Sequence, residues 1–145
     1  MRIFANGWKG FVLLAWLPFA LSATTATEDS TMWMTVGEQR FAIALDDNPS
    51  TRQLLTRLPL SLDMADLHSN EKYATVQPPL PTQPYRPGTI HNGDFLLYGD
   101  DTLVVFYKTF DSSYRYSRLG RIDRPQDLAE ALGRGDVRVT FTLHE

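Results

Sequence analysis

The chain of 145 residues carries 14 Lys and Arg against 17 Asp and Glu, a formal charge of −3, no cysteine, 43% hydrophobic and 12% aromatic residues. Those counts describe one small globule. They disfavour a membrane bundle, a coiled coil, a disulfide scaffold, a cysteine-ligated zinc module and an extended basic nucleic-acid binder.

Residues Met1 to Ala26 have the three parts of a secretory signal: basic Arg2 and Lys9, the uncharged run Phe11 to Leu21, and the small residues Ser22-Ala23-Thr24-Thr25-Ala26. The run is shorter than the roughly 20 apolar residues of a spanning helix and contains Pro18, so no stable membrane anchor is expected after cleavage. Cleavage after Ser22 and cleavage after Ala26 both satisfy the small-residue rule. Taking Arg2 and Lys9 from the 14 basic residues leaves 12 against 17 acidic, a net charge of −5. That balance makes nucleic acid and anionic lipid poor partners. Residues 1–26 are read as the signal peptide and 32–145 as the folded domain, in the periplasm or secreted.

In Met32-Trp33-Met34-Thr35-Val36, and again from Phe41 through Ile43 to Leu45, apolar residues alternate around a Gly37-Glu38 turn, which predicts an opening hairpin. Asn48 as cap and Pro49 at the first helical position, followed by Leu54, Leu55 and Leu58, predict a short helix to about Arg57. Pro59 stops it, and Leu60, Leu62 and Met64 then alternate as a strand.

Five prolines between Gln77 and Pro87 exclude a helix or a central strand and predict a loop, extended in polyproline fashion across the surface. The strands Asp94 to Tyr98 and Thr102 to Lys108 flank a Gly99-Asp100-Asp101 turn, with Tyr116 to Ile122 as a further strand. Asp123, Pro125 and Gln126 open a second helix carrying Leu128, Ala131 and Leu132, ended by Gly133 or Gly135. Val137, Val139, Phe141 and Leu143 alternate along a last strand. About seven strands, two short helices and no βαβ rhythm predict a mainly β fold, a closed or nearly closed antiparallel barrel.

No Gly-x-Ser-x-Gly, no phosphate-cradling Gly-x-x-x-x-Gly-Lys and no cysteine nucleophile is present, and His68, His91 and His144 lack metal-ligand spacing. Neither a metal nor a cofactor is expected, and the catalytic residues, if any exist, are unassigned. His91, beside Asn92 and Asp94, is the histidine placed to exchange protons. The string Asn70-Glu71-Lys72-Tyr73 is the most unusual polar cluster. In its functional reading Glu71 supplies a carboxylate and Lys72 a cation to a pocket; in its bland reading both are solvated.

Tyr98, Phe106, Tyr107, Phe110, Tyr114 and Tyr116 make the middle of the chain aromatic, and tyrosine suits a concave mouth because its hydroxyl can stay wet. Alternation places Phe106 and Tyr107 on opposite faces. It also places Arg115 and Arg121 on one face and Arg118 on the other, a pattern read as a solvated sheet edge or, for Arg118, as a ligand contact.

The ordered strings Pro59-Leu60-Ser61-Leu62, Asn70-Glu71-Lys72-Tyr73-Ala74, Gly93-Asp94-Phe95-Leu96-Leu97-Tyr98, Phe106-Tyr107 and Tyr114-Arg115-Tyr116-Ser117-Arg118-Leu119-Gly120-Arg121-Ile122 resemble the bacterial cyclophilin-like domain proteins. The resemblance runs from about Met32 to Leu143 and implies a small closed cyclophilin-like β-barrel with helices at its ends. The Phe-His-Arg segment and the Gln-Gly-Asp of true cyclophilins are missing, so the isomerase residues are not carried over, and fold alone does not assign activity.

The leading expectation is an exported module that binds a peptide or small molecule, with Glu71, Lys72, Tyr107, Tyr114, Tyr116 and Arg118 as candidate ligand contacts. The alternative is an enzyme, either a prolyl isomerase or an activity using Glu71 or His91 for proton transfer. A third reading has the proline loop docking a partner. Oligomeric state is not readable.

Overall fold

The computed structural model of the chain describes residue 10 and residues 31–144. Apart from residue 10, the expected signal peptide (1–26) lies outside the described residues. Strand β1 (Thr31–Val36) turns Met32, Met34 and Val36 inward, and β2 (Gln39–Leu45) does the same with Phe41, Ile43 and Leu45. Their register runs from Thr31 opposite Ala44 to Val36 opposite Gln39. Gly37 makes the tight turn at φ +58°, a backbone region that costs glycine little.

Helix α1 (Pro49–Leu55) begins as expected, with Asn48 Oδ1 accepting the Thr51 N–H at 3.0 Å and Thr51 Oγ1 accepting the Asn48 N–H at 3.2 Å. This reciprocal cap satisfies two otherwise orphaned donors. The helix stops before Arg57. Thr56 and Arg57 bond back to Gln53 and Leu54 in tighter turns, and Leu58 precedes a proline, a position that disfavours helical backbone.

Strands β3 (Leu60–Leu67), β4 (Glu71–Thr75), β6 (Asp94–Tyr98), β7 (Thr102–Phe106), β9 (Ser117–Ile122) and β10 (Val137–Thr142) complete the sheet. Together with β1 and β2 they close an antiparallel barrel in the order β1-β10-β3-β4-β7-β6-β9-β2. The barrel therefore has eight strands where about seven were expected. The additional one is β4, whose alternation is masked by the charged residues Glu71 and Lys72. Between the barrel strands, β5 (Thr89–Ile90) and β8 (Phe110–Asp111) pair as a separate ribbon.

Inside the barrel, Met32, Met34, Met64, Leu97, Leu103, Val105 and Val139 pack around Phe95 and Phe141, whose rings stack with centroids 5.7 Å apart. Leu54 of α1, together with Leu128 and Leu132 of α2 (Leu128–Leu132), belongs to the same cluster. A second buried cluster lies on the outer surface, where Leu96, Val104 and Phe106 are covered by Ile90 and Tyr116. The barrel wall is thus apolar on both sides over most of β7 and β6, which is why they show no polar alternation.

A bulge corrects the expected arginine pattern. Phe95 stands opposite Gly120 but Leu96 opposite Arg118, so Leu119 is an extra residue in β9. The inserted residue shifts the phase, and Arg118 and Arg121 both come out exposed. Nor is β9 an edge, since it lies between β6 and β2.

The proline loop is fastened to its own barrel. Leu80 is buried in the core, the Arg57 guanidinium donates to the carbonyls of Pro78 and Pro79, and the Gln83 N–H donates to Ser117 Oγ at 2.9 Å. Tyr85 and Tyr116 exchange backbone hydrogen bonds of 2.8 and 3.0 Å.

Candidate functional site

The strand register builds a groove on the outside of the barrel. Glu71, Tyr73 and Thr75 alternate outward along β4, and opposite them on β7 stand Phe106, Val104 and Thr102. On the next strand Tyr98 faces Thr102. Phe110 of β8 and the Tyr114–Tyr116 segment rise beside this row, and the β3–β4 turn with His68 and Asn70 closes one end. The enclosed volume is about 370 Å³, within the range of small-ligand sites.

The walls are aromatic. Tyr98 meets Tyr114 edge-on at 6.1 Å and Tyr116 at 5.8 Å, and Tyr116 in turn packs edge-on against Phe106 at 5.6 Å. Tyr116 is anchored in the outer cluster, whereas Tyr114 is 62% exposed. Burial raises the Tyr116 hydroxyl above the usual phenol range. A shallower depression containing Pro84 and Arg115 continues beyond the same three tyrosines.

Glu71 is the acid of this groove. Burial, and secondly the negative charge of Asp66, push its carboxyl up to about 7. Among the described residues no hydrogen bond reaches that carboxyl to offset the desolvation.

Three of the candidate residues therefore meet at one place: Glu71, Tyr114 and Tyr116. The other three do not. Lys72 follows Glu71 along an extended strand and so points through the wall into the barrel, fully buried. Its Nζ donates to Asp66 Oδ1 at 2.8 Å and to the carbonyls of Gly133 at 2.8 Å and Gly135 at 2.6 Å. It supplies no cation to the groove.

Tyr107 is likewise turned inward, opposite in face to Phe106. Its hydroxyl donates to Asp66 Oδ1, and the Lys72 ammonium lies 5.5 Å from its ring centre. Burial and then Asp66 raise its phenol, while the Lys72 and Tyr107 hydrogen bonds lower the Asp66 carboxyl. These three residues lock one end of the barrel to the loop after α2.

Arg118 lies in a different depression, paired with Asp46 at 2.6 Å and 6.0 Å from the Tyr85 ring centre. The hydrogen bond to Asp46 raises its guanidinium further. His91, the alternative proton-transfer group, is exposed outside the groove, and its backbone N–H donates to Asp94 Oδ2 at 2.8 Å.

Tyr73, Tyr98, Phe110 and His68 also line the groove. Reading Glu71 to Thr75 as a strand would have found Tyr73, since it shares the outward parity of Glu71. The ring of Phe110 needed the long-range ribbon pairing of Ile90 with Phe110. Among the described residues no group of three or more His, Cys, Asp or Glu is placed to hold a metal ion.

A closed antiparallel barrel with short helices, and with the concavity outside the barrel while the interior is filled, defines a protein of the cyclophilin-fold class. A model of the cyclophilin-like family matches residues 34–142, and the chain belongs to that family. Among solved structures it is similar to a hypothetical protein of Archaeoglobus fulgidus, determined in solution, at 14% identity with a TM-score of 0.54. That match covers 80% of this chain and 95% of the other, and it shows the shared fold alone. A comparison with curated proteins finds no match.

Proposed function

We propose that the protein is an exported binding module that receives a peptide or small ligand in the outer aromatic groove. The observation that carries this reading is the groove itself: about 370 Å³, walled by Tyr98, Phe110, Tyr114 and Tyr116, with a carboxyl at one end. A face that only needed covering would have been filled by the ribbon and Tyr116. Here Tyr98 and Tyr114 remain 48% and 62% exposed around an open concavity. Large rings held at a wet rim are the side chains that bury ligand area at small entropic cost. The depression beyond the same tyrosines favours an extended ligand such as a peptide.

The test is a titration of the isotopically labelled mature domain with pools of short peptides and of aromatic small molecules, followed by amide shifts. Shifts gathered on residues 67–75, 98–104 and 110–116 support the reading. Shifts gathered elsewhere, or none with any pool, reject it. Arginine is absent from the groove lining, so the isomerase alternative gains no support from its geometry.

Export rests on the charged, apolar and small-residue segments of residues 1–26. Cell fractionation with N-terminal sequencing tests it. A chain beginning at residue 23 or 27 outside the cytoplasm supports export; an intact Met1 chain inside rejects it.

A further inference from the structure

We infer that the groove is selective for a ligand presenting a protonated primary or secondary amine on an apolar body, with Glu71 as the counter-ion. This rests on the groove being a binding site and adds the chemical class of what it takes.

Two observations converge. The Glu71 carboxyl faces the groove, half-buried and with no donor among the described residues. The lining also carries the aromatic rings of Tyr73, Tyr98, Phe110, Tyr114 and Tyr116, and the faces of such rings attract cations.

All of these features accept hydrogen bonds or attract positive charge, and the lining contains neither Lys nor Arg. Lys72, the nearest candidate cation, is committed on the far side of the wall to Asp66 and two carbonyls. An anionic ligand would meet an unpaired carboxylate in an aromatic cage. A neutral apolar ligand would bury that carboxyl further and hold it protonated, leaving its charge unused. An ammonium supplies both the charge and the N–H donors that Glu71 lacks, and this need for N–H separates it from a quaternary cation.

The groups facing Glu71 fix the pH dependence. Asp66, held ionised by Lys72 and Tyr107, adds a constant negative charge from β3, and Tyr107 and Tyr116 stay neutral because their phenols are raised. His68, exposed in the β3–β4 turn at φ +51°, is the histidine of the same lining. His68→Asn removes it with a residue that tolerates this backbone.

The experiment is an amide-shift titration of the mature domain, in the His68→Asn background, with 2-phenylethylamine and its neutral counterpart 2-phenylethanol at pH 6 and pH 8. N-acetyl-lysine methylamide is added to distinguish a lysine side chain from a free amine. At pH 8 the amine is expected to bind at least tenfold more tightly than the alcohol, with the preference falling severalfold at pH 6 and abolished by Glu71→Gln. Equal binding of amine and alcohol by the folded domain overturns the amine preference and leaves the groove as a binding site. A groove silent to all three probes overturns the amine inference as well, while the peptide and aromatic pools decide separately whether the groove binds anything.

Discussion

Glu71 and Lys72 are consecutive residues of one strand, yet their charges lie on opposite sides of the barrel wall: the carboxyl ends in the outer groove and the ammonium in the interior, bonded to Asp66. Strand alternation imposes this separation. It turns an apparent acid–base pair into two devices, one facing the groove and one holding the fold, joined through the charge of Asp66 on Glu71.

The interior device is testable first. Lys72→Ala leaves Asp66 and the carbonyls of Gly133 and Gly135 without their shared donor. Breaking a buried pair from one side costs about 3–5 kcal/mol, and a denaturant titration should show a loss of that order. Lys72→Met keeps most of the volume and isolates the polar part. Adding Asp66→Asn to it should recover part of that loss, because the carboxylate, bonded also to Tyr107 and to the Ser69 N–H, is no longer there to lack its counter-charge. Since the Asp66 carboxyl is depressed in the folded state, its contribution is present above the unfolded value of about 3.9 and is lost as pH falls through the folded one.

Glu71 gives the opposite pH signature. Its carboxyl rises from an ordinary 4.5 to about 7 on folding. Between those values the folded state holds a proton that the unfolded state has released, so stability falls as pH rises from about 4.5 to 7 and is level above. With half the carboxyl exposed, solvent screening reduces the effect to about 1 kcal/mol. Glu71→Gln should therefore match the native protein near pH 4 and exceed it by about 1 kcal/mol at pH 8, as read from unfolding curves at the two pH values.

At Gly120 the backbone of β9 passes so close to β2 that an added Cβ would stand 2.2 Å from the Ala44 carbonyl oxygen. That neighbour is main chain in a paired strand and has little freedom to move. Gly120→Ala should cost about 3 kcal/mol or leave the chain unfolded, as for other overpacked sites. By contrast Gly99, in open space at φ +59°, should lose only the 1–2 kcal/mol of left-handed strain on the same change. Thermal unfolding of the two variants separates the mechanisms.

Where the signals are local, the sequence was sufficient. The Asn48-Pro49 cap, the Gly37 turn and the Val137–Thr142 alternation each depend on neighbours within a few residues, and all are present. β4 was obscured because its inward row contains Lys72, a residue that reads as solvent-facing until Asp66 and two carbonyls are brought to it. The bulge at Leu119 leaves no mark in the residue pattern, and it decides which way Arg118 points. The groove joins β4, β7 and β6 with Phe110 and Tyr114, so its residues were visible singly while their meeting depended on the closed topology.

Tyr114 and Tyr116 line the same groove but should fail differently when truncated. Tyr116 is 5% exposed and packs edge-on against Phe106, so Tyr116→Ala removes a buried ring from the outer cluster and should cost about 3 kcal/mol. Tyr114 is 62% exposed with Tyr98 as its aromatic neighbour, and its loss should change stability by less than about 0.5 kcal/mol. Binding should respond to both, because each ring forms a wall. The pairing of an unchanged unfolding curve with a several-fold weaker titration in Tyr114→Ala is the signature of a residue held at the rim for ligand. If Tyr114→Ala binds as well as the native domain while Tyr116→Ala alone loses affinity, Tyr114 is a solvated loop residue and the ligand-contacting wall ends at Tyr98 and Tyr116.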